Sequence, residues 1–567
     1  VIIPKNDAER LELYDRLARA CMVSRNARKA QYDRWKRYFM TGCDEALNPN
    51  VVVNKIYPHV DQLTSFMYSQ ETTRFAVEFS ASASGLNLAY APSVSEAVNE
   101  GWHSSDTDIT FGLALLWAWV YGSMLLKPIW RDGELVTGLV EPANFGVLRE
   151  DSPKISSQEA FCHEYLITKT QLASELRAAM IGGSISQERV NQILDRVEAS
   201  ASPSQGETGG PANIVVTTIQ PLIAGNQMMG GINPNLYSAA DYRPRVYEPL
   251  VQMRELYVWN SEKDTYQVVT MAEPYVVIWD RPLEGKMGIE GEAPFIQVCP
   301  SPAPDYFWGY SEVERLLPLQ DLRNDRMAQI RKMLDRQANP PWDFSGYTVT
   351  DEIMAAFDTP GGRIAGDMPN SKATSHQPTI PDDLFKEVRE LDAMFEEMSG
   401  VNNVLSGRGE TGVRSSGHAS QLAKLGSSRA KKRAMIVEDS LENLATYDLK
   451  LMRKFSTKKY RSEPVEEGEE GQIFILNQIS SDFLVKVDAH SNSPIFVEDQ
   501  RELVFAALKA GLIDKESALE LLDISGKQLL RMKLRRKILP AEARAAAQKA
   551  QAEAAAAQAK VTKLGGR

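Results

Sequence analysis

Residues 307–324 read FWGYSEVERLLPLQDLRN, and the fold turns on how this stretch is read. Ser311 and Glu314 form a capping box, in which each side chain satisfies a free amide of the other's backbone. A helix therefore begins here. Pro318 lacks an amide hydrogen, so the helix is expected to break or kink there and to run on from Leu319 to about residue 338. Leu322, Ile330, Met333 and Leu334 are its expected apolar stripe. Asn339-Pro340-Pro341 stops it.

Downstream, residues 342–380 are short, aromatic and rich in Gly and Pro, which predicts small strands and turns. A second helix spans 381–399. Residues 406–417 read SGRGETGVRSSG, a Gly-rich loop. A third helix starts after Ser415-Ser416 and continues to about 455, some 60 Å at the usual rise. Residues 461–471 are an acidic loop, 483–487 a strand, and 497–522 helical. After Pro540, residues 541–560 hold 12 alanines, which favours a lone helix with little to bury.

Upstream, residues 1–310 read as an α+β body. Residues 7–39 are one or two surface-packed helices, and 51–68 another that breaks near Pro58. Residues 74–79 alternate like a strand. Residues 124–130 and 134–140 flank Arg131-Asp132-Gly133, a hairpin signal. Residues 200–210 are a loop by composition, and 254–259, 266–271 and 275–279 a strand meander. The charge-free run 109–126 reads as a buried core helix rather than a membrane span.

The chain has 567 residues, 25% of them charged and 43% hydrophobic, which excludes wholesale disorder. It begins Val-Ile-Ile-Pro, with no run apolar enough for a signal peptide. Its formal charge of −11 argues against nonspecific coating of nucleic acid. Cys21, Cys43, Cys162 and Cys299 lie far apart, so no zinc ribbon or disulfide framework is signalled and a reducing cytoplasm fits.

Catalytic signatures are scarce. Gly407, Gly409 and Gly412 satisfy G-x-G-x-x-G, and Gly407 and Gly412 the glycine spacing of a P-loop. Val413 and Arg414 stand where a P-loop needs Lys and Ser/Thr, and an acidic helix stands where a dinucleotide fold needs a strand. No histidine sits at metal-ligand spacing. Cys162 and His163 are adjacent, their side chains are expected to point apart, and a core or surface position accounts for them. The expectation is no enzyme, no cofactor and no metal.

Charge patterning is more informative. Residues 382–399 carry seven acids against two bases, among them Asp382, Asp383, Glu387, Glu390, Glu396 and Glu397. Residues 401–434 carry seven bases against one acid. An acidic wall repels phosphates while a few bases grip the backbone without reading sequence, as a DNA channel requires. A helix pair trading salt bridges with its neighbours explains the same pattern. Lys527, Arg531, Arg535 and Arg536 belong to a further acid-free basic stretch.

This layout resembles the portal protein, or head-to-tail connector, of tailed double-stranded DNA bacteriophages. The residues that carry the match are 307–324, similar to the family's first stem helix; 398–407 (MSGVNNVLSG) with 412–422 (GVRSSGHASQL), similar to its channel loop and wing helix; 120–130 (VYGSMLLKPIW), similar to its helix–glycine–strand; and 51–79. The resemblance implies an α+β fold of wing, stem, clip and crown: wing body 1–310, first stem helix 311–338, clip 339–380, second stem helix 381–399, channel loop 400–416, long wing helix 417–457, wing and crown connecting strands 458–496, and crown 497–539. Residues 540–567 would be a barrel helix or a disordered tail.

It also implies a homo-oligomeric ring of about twelve subunits at one capsid vertex. Such a ring lies in the virion, is built in host cytoplasm and carries double-stranded DNA without sequence specificity. Its partners are the terminase large subunit, the head–tail adaptor, and the major capsid and scaffolding proteins, with no membrane. On this reading Arg408 and Arg414 approach DNA and the acids of 382–399 face the channel. Trp342, Phe344 and Tyr347 either contact clip partners or form the clip's own small core. The basic patch Lys527, Arg531, Arg535 and Arg536 falls in the crown. The alternatives are another ring-forming virion protein, such as an adaptor, and a nucleotide-binding enzyme built on the 407–412 loop.

Overall fold

The computed structural model describes residues 1–43, 52–79, 85–131, 133–181, 185–197, 250–272, 276–283, 288–348, 350–358, 368, 370–376, 379–399, 428–462, 472–487, 504 and 508–509. The expected channel loop, the first part of the expected long wing helix, nearly all of the expected crown, the expected tail, the expected loop at 200–210, and the expected acidic loop 461–471 from residue 463 on lie outside them.

The chain opens with α1 (Asp7–Thr41), one helix of 35 residues. The Asn6 side chain accepts from the Ala8 amide at 3.2 Å, and Gly42 closes the far end at φ 78°. Tyr14, Ala18 and Cys21 on its first half pack on a sheet, while Tyr32, Trp35 and Phe39 enter the central core. α2 (Ile56–Met67) starts two residues before Pro58 instead of breaking there, because the first turn needs no amide donor from it.

β1 (Phe75–Phe79), α3 (Gly85–Ser104) and α4 (Thr107–Tyr121) follow. The charge-free run, expected as one core helix over 109–126, is a helix and then a strand. α4 ends at Gly122, whose φ is 92° and where an added Cβ would sit 2.7 Å from the Trp308 carbonyl oxygen. No described helix is long and apolar enough to cross a membrane.

β2 (Met124–Arg131) and β3 (Glu134–Val140) form the expected hairpin, and β9 (Ile296–Val298) flanks β2. A five-stranded antiparallel sheet runs in the order β4 (Phe145–Val147), β5 (Ala160–Thr168), β6 (Leu250–Asn260), β7 (Thr265–Ala272) and β8 (Val276–Pro282). Both faces are covered. Phe161, Tyr257 and Val268 face the β2–β3 side, and Cys162, Leu256 and Val269 face α1. Cys162 and His163 therefore do point apart. α5 (Lys169–Ile181) and α6 (Gln187–Arg196) close the end of the sheet.

α7 (Glu312–Ala338) is one continuous helix with Pro318 inside it, so of the expected break or kink the break does not occur. Val313, Leu316 and Leu317 are buried around the proline, and this packing offsets one missing hydrogen bond. The capping is half of the expected box: the Ser311 hydroxyl accepts from the Glu314 amide at 3.1 Å and donates to the Val120 carbonyl at 2.6 Å. The expected stripe is corrected too. Ile330 is buried, but Leu322 and Leu334 are 38% and 46% exposed.

After α7 the chain makes a two-stranded ribbon of β10 (Trp342–Ser345) and β11 (Lys372–Ser375), enclosing a short helix α8 (Asp351–Asp358) that composition did not signal. α9 (Asp382–Ser399) returns. α10 (Ser428–Phe455) runs through the central core with Leu441, Leu444, Leu449 and Leu451 fully buried. β12 (Lys459–Arg461) pairs with β13 (Ile473–Ile475), and β14 (Phe483–Val487) pairs with β1. The fold class is α+β, as expected.

Candidate channel and docking surfaces

α7 and α9 form an antiparallel hairpin. Its register is read from two ion pairs, Arg323 to Asp392 and Arg326 to Glu387, each at 2.8 Å: the α7 number rises as the α9 number falls. Lys55 joins Asp392 at 3.3 Å. Leu391 and Phe395 on α9 and Ile330 on α7 are buried along this seam. From residue 331 to the end of α7, by contrast, no residue is buried.

The hairpin is anchored at its root. The Gln320 side chain accepts from the Lys55 amide at 3.0 Å and donates to Asn324, whose amide donates to the Gly42 carbonyl at 2.8 Å. The Tyr38 hydroxyl donates to Asp321 at 2.6 Å.

The Glu312 carboxylate, 2% exposed, lies beside three cations or potential cations: Arg433 and Arg315 at 3.3 Å, and His59 Nε2 at 3.6 Å. Burial alone would raise its pKa, but His59 and the two guanidiniums outweigh burial and hold it below the usual carboxylate range. Arg433 also covers the Trp119 ring at 5.2 Å. One carboxylate thus ties α2, α4, α7 and α10 together. Sequence reasoning missed it, giving Glu312 no role inside the Ser311–Glu314 box and counting Arg433 only among the bases of 401–434.

The acids expected to line a channel divide. Asp382, Asp383, Glu390 and Glu397 are exposed, whereas Glu387 and Glu396 are half-buried. Asp383, Glu390 and Glu397 recur every seven residues and so share one edge of α9. Asp383 is held by Lys386 at 2.8 Å and Glu387 by Arg326. The helix pair therefore both trades salt bridges and presents an acidic edge.

In the ribbon, Trp342 is 45% exposed and opposite Ser375, Phe344 lies opposite Ala373, and Tyr347 is half-buried. Gly346 turns at φ 78°, held by a 2.6 Å hydrogen bond from the Ser371 hydroxyl to its carbonyl. Arg408, Arg414, Gly407, Gly409 and Gly412 lie outside the described residues, as do Lys527, Arg531, Arg535 and Arg536. Among the described residues no group of three His, Cys, Asp or Glu could hold a metal ion, and all four cysteines are free.

No family model matches the chain, and no curated protein does. Among solved structures, the chain is similar to one from the virion of a native gene transfer agent particle, at 10% identity and a TM-score of 0.40, over 87% of this chain and 93% of that one.

Proposed function

We propose that this protein is a portal subunit. About twelve copies form a ring at one capsid vertex, DNA passes through its channel during packaging and ejection, and the ribbon end docks the terminase and then the tail adaptor. The observation that carries this reading is the α7–α9 hairpin. Beyond residue 330 no residue of α7 is buried, and large apolar side chains stay at 40% exposure or more on the hairpin (Leu334, Phe385 and Met394) and on the ribbon and α8 at its tip (Trp342 and Met354). A helix end with no buried residue that still carries large exposed apolar side chains is completed by neighbours. A closed ring supplies such neighbours by repeating one heterologous contact.

The resemblance carried by 307–324 and 398–422 falls on the same hairpin and on the segment that follows it. The acidic edge of α9 would then face DNA phosphates and discourage sticking. The reading is of a structural part of the virion, with no catalytic step.

The test is the native mass of the purified chain, with negative-stain images of the same sample. A ring with a central hole wide enough for a duplex supports the proposal. A monomer or dimer that no capsid or scaffold partner converts to a ring overturns it.

A further inference from the structure

A recess of about 490 Å³ opens between the end of α10, the segment near Ile289 and the turn before β14. It is far larger than a water site and lies within the range of small-ligand pockets. Lys450, Arg453 and Lys454 line it from one face of α10, since residues three and four apart on a helix are neighbours. Asn477, Ser481 and the Glu292 carboxylate line it as well.

Some of this charge has a local explanation. Cations are favoured at a helix C-terminus, where the free carbonyls sit. Lys450 meets Glu292 at 2.5 Å, and Lys454 meets Glu290 at 3.6 Å. Both acids are substantially exposed, and exposed pairs of this kind contribute little, so an incoming anion competes with them for the two ammoniums.

Arg453 has no such partner. Its Nε donates to the Ile479 carbonyl at 3.0 Å, which fixes the plane of the guanidinium, and among the described residues no carboxylate pairs with it. The side chains of Asn477 and Ser481 likewise make no hydrogen bond there. A guanidinium held at one edge, two flanking ammoniums, an amide and a hydroxyl are the donor set for a tetrahedral oxyanion.

We propose that this recess is a phosphoryl-binding site. The Arg453 fork and the Ser481 hydroxyl hold the phosphate oxygens, and Lys450 and Lys454 neutralise the charge. The site lies between α10, the Ile289 segment and the turn before β14, and it does not depend on the ring reading. The phosphoryl group comes either from a free phosphate compound or from a nucleic-acid backbone, and the two sources are separable.

The experiment is isothermal titration of the full chain with pyrophosphate, for the wild type, Arg453→Gln and Asn477→Asp. Saturable binding is expected, weakened at least roughly tenfold in each variant, the first by losing a charge-assisted pair and the second by adding a repelling carboxylate. Asn477 is not part of the buried core, so its variant keeps the test valid if Arg453→Gln misfolds. A short DNA duplex is then added. Duplex binding that pyrophosphate displaces and that the same variants weaken assigns the backbone, and pyrophosphate binding without it assigns a free phosphate. No binding of pyrophosphate, or binding unchanged in both variants, overturns the proposal.

Discussion

Glu312 sits where four helices meet, and its neighbours decide what it does. Buried with Arg433 and Arg315 at 3.3 Å, it stays ionised in the folded chain below the pH at which it would protonate when unfolded. Its contribution to stability is therefore full above the unfolded pKa of about 4.3 and is lost as pH falls through the lower folded value. Glu312→Gln is expected to cost about 2 kcal/mol at neutral pH, because it leaves two guanidiniums with a weaker partner. The cost should shrink below about pH 4. Urea unfolding of both proteins at the two pH values checks this, and a pH-independent difference would count against it.

Asp448 on α10 is the opposite case. It is 3% exposed, neither carboxyl oxygen has a hydrogen-bond partner, and burial pushes its pKa well above the usual range. The folded chain keeps this proton where the unfolded chain releases it, so stability falls as pH rises above about 4. Asp448→Asn cannot ionise. It should melt higher than wild type at pH 8, with the gap narrowing toward pH 5, and parallel melting profiles would refute the assignment.

At the scale of elements, glycine sets one boundary that hydropathy could not. The run 109–126 is uniformly apolar, yet it becomes a helix and a strand because Gly122 adopts φ 92° against the Trp308 backbone. Gly122→Ala adds both a strained φ and a Cβ within 2.7 Å of the Trp308 carbonyl oxygen, and should destabilise by at least about 2 kcal/mol, measured by chemical denaturation. Pro318 teaches the converse. Its local preference for ending a helix loses to the burial of Val313, Leu316 and Leu317, which holds the turn in place. The β2–β3 hairpin was legible because its Asp-Gly turn and its pairing are local. β1 and β14 were each legible as strands, but their pairing joins Phe75 to Val487, and no local signal carries a contact at that separation.

At the scale of the molecule, the proposed ring would close over the exposed apolar side chains of the hairpin. The double variant Leu334→Glu, Met394→Glu changes two exposed positions, so the subunit should fold with its stability within about 0.5 kcal/mol of wild type. It should no longer form rings. Native mass and circular dichroism on one sample separate these effects, and intact rings would remove the hairpin from the interface. The expected channel loop makes a second prediction. Arg408→Ala, Arg414→Ala should lower the retention of DNA in filled particles, since each lost phosphate contact weakens binding without regard to sequence. Unchanged retention would take the loop out of the DNA path.

The sequence by itself determined which segments are helices and strands where the signal is local: the capped start at Ser311, the stop at Asn339-Pro340-Pro341, the Asp-Gly hairpin, and the acidic helix over 382–399. Propensity, capping and periodicity act within a few residues, so they are written in a few residues. Only the tertiary structure decided that Pro318 is tolerated and that the 109–126 run splits. It also decided that Glu387 faces Arg326, that Glu312 gathers Arg433 and Arg315, and that three cations of α10 line one recess with Asn477 and Ser481. Each of these depends on which distant backbone lies within a few ångströms, and burial energy summed over the whole core sets that.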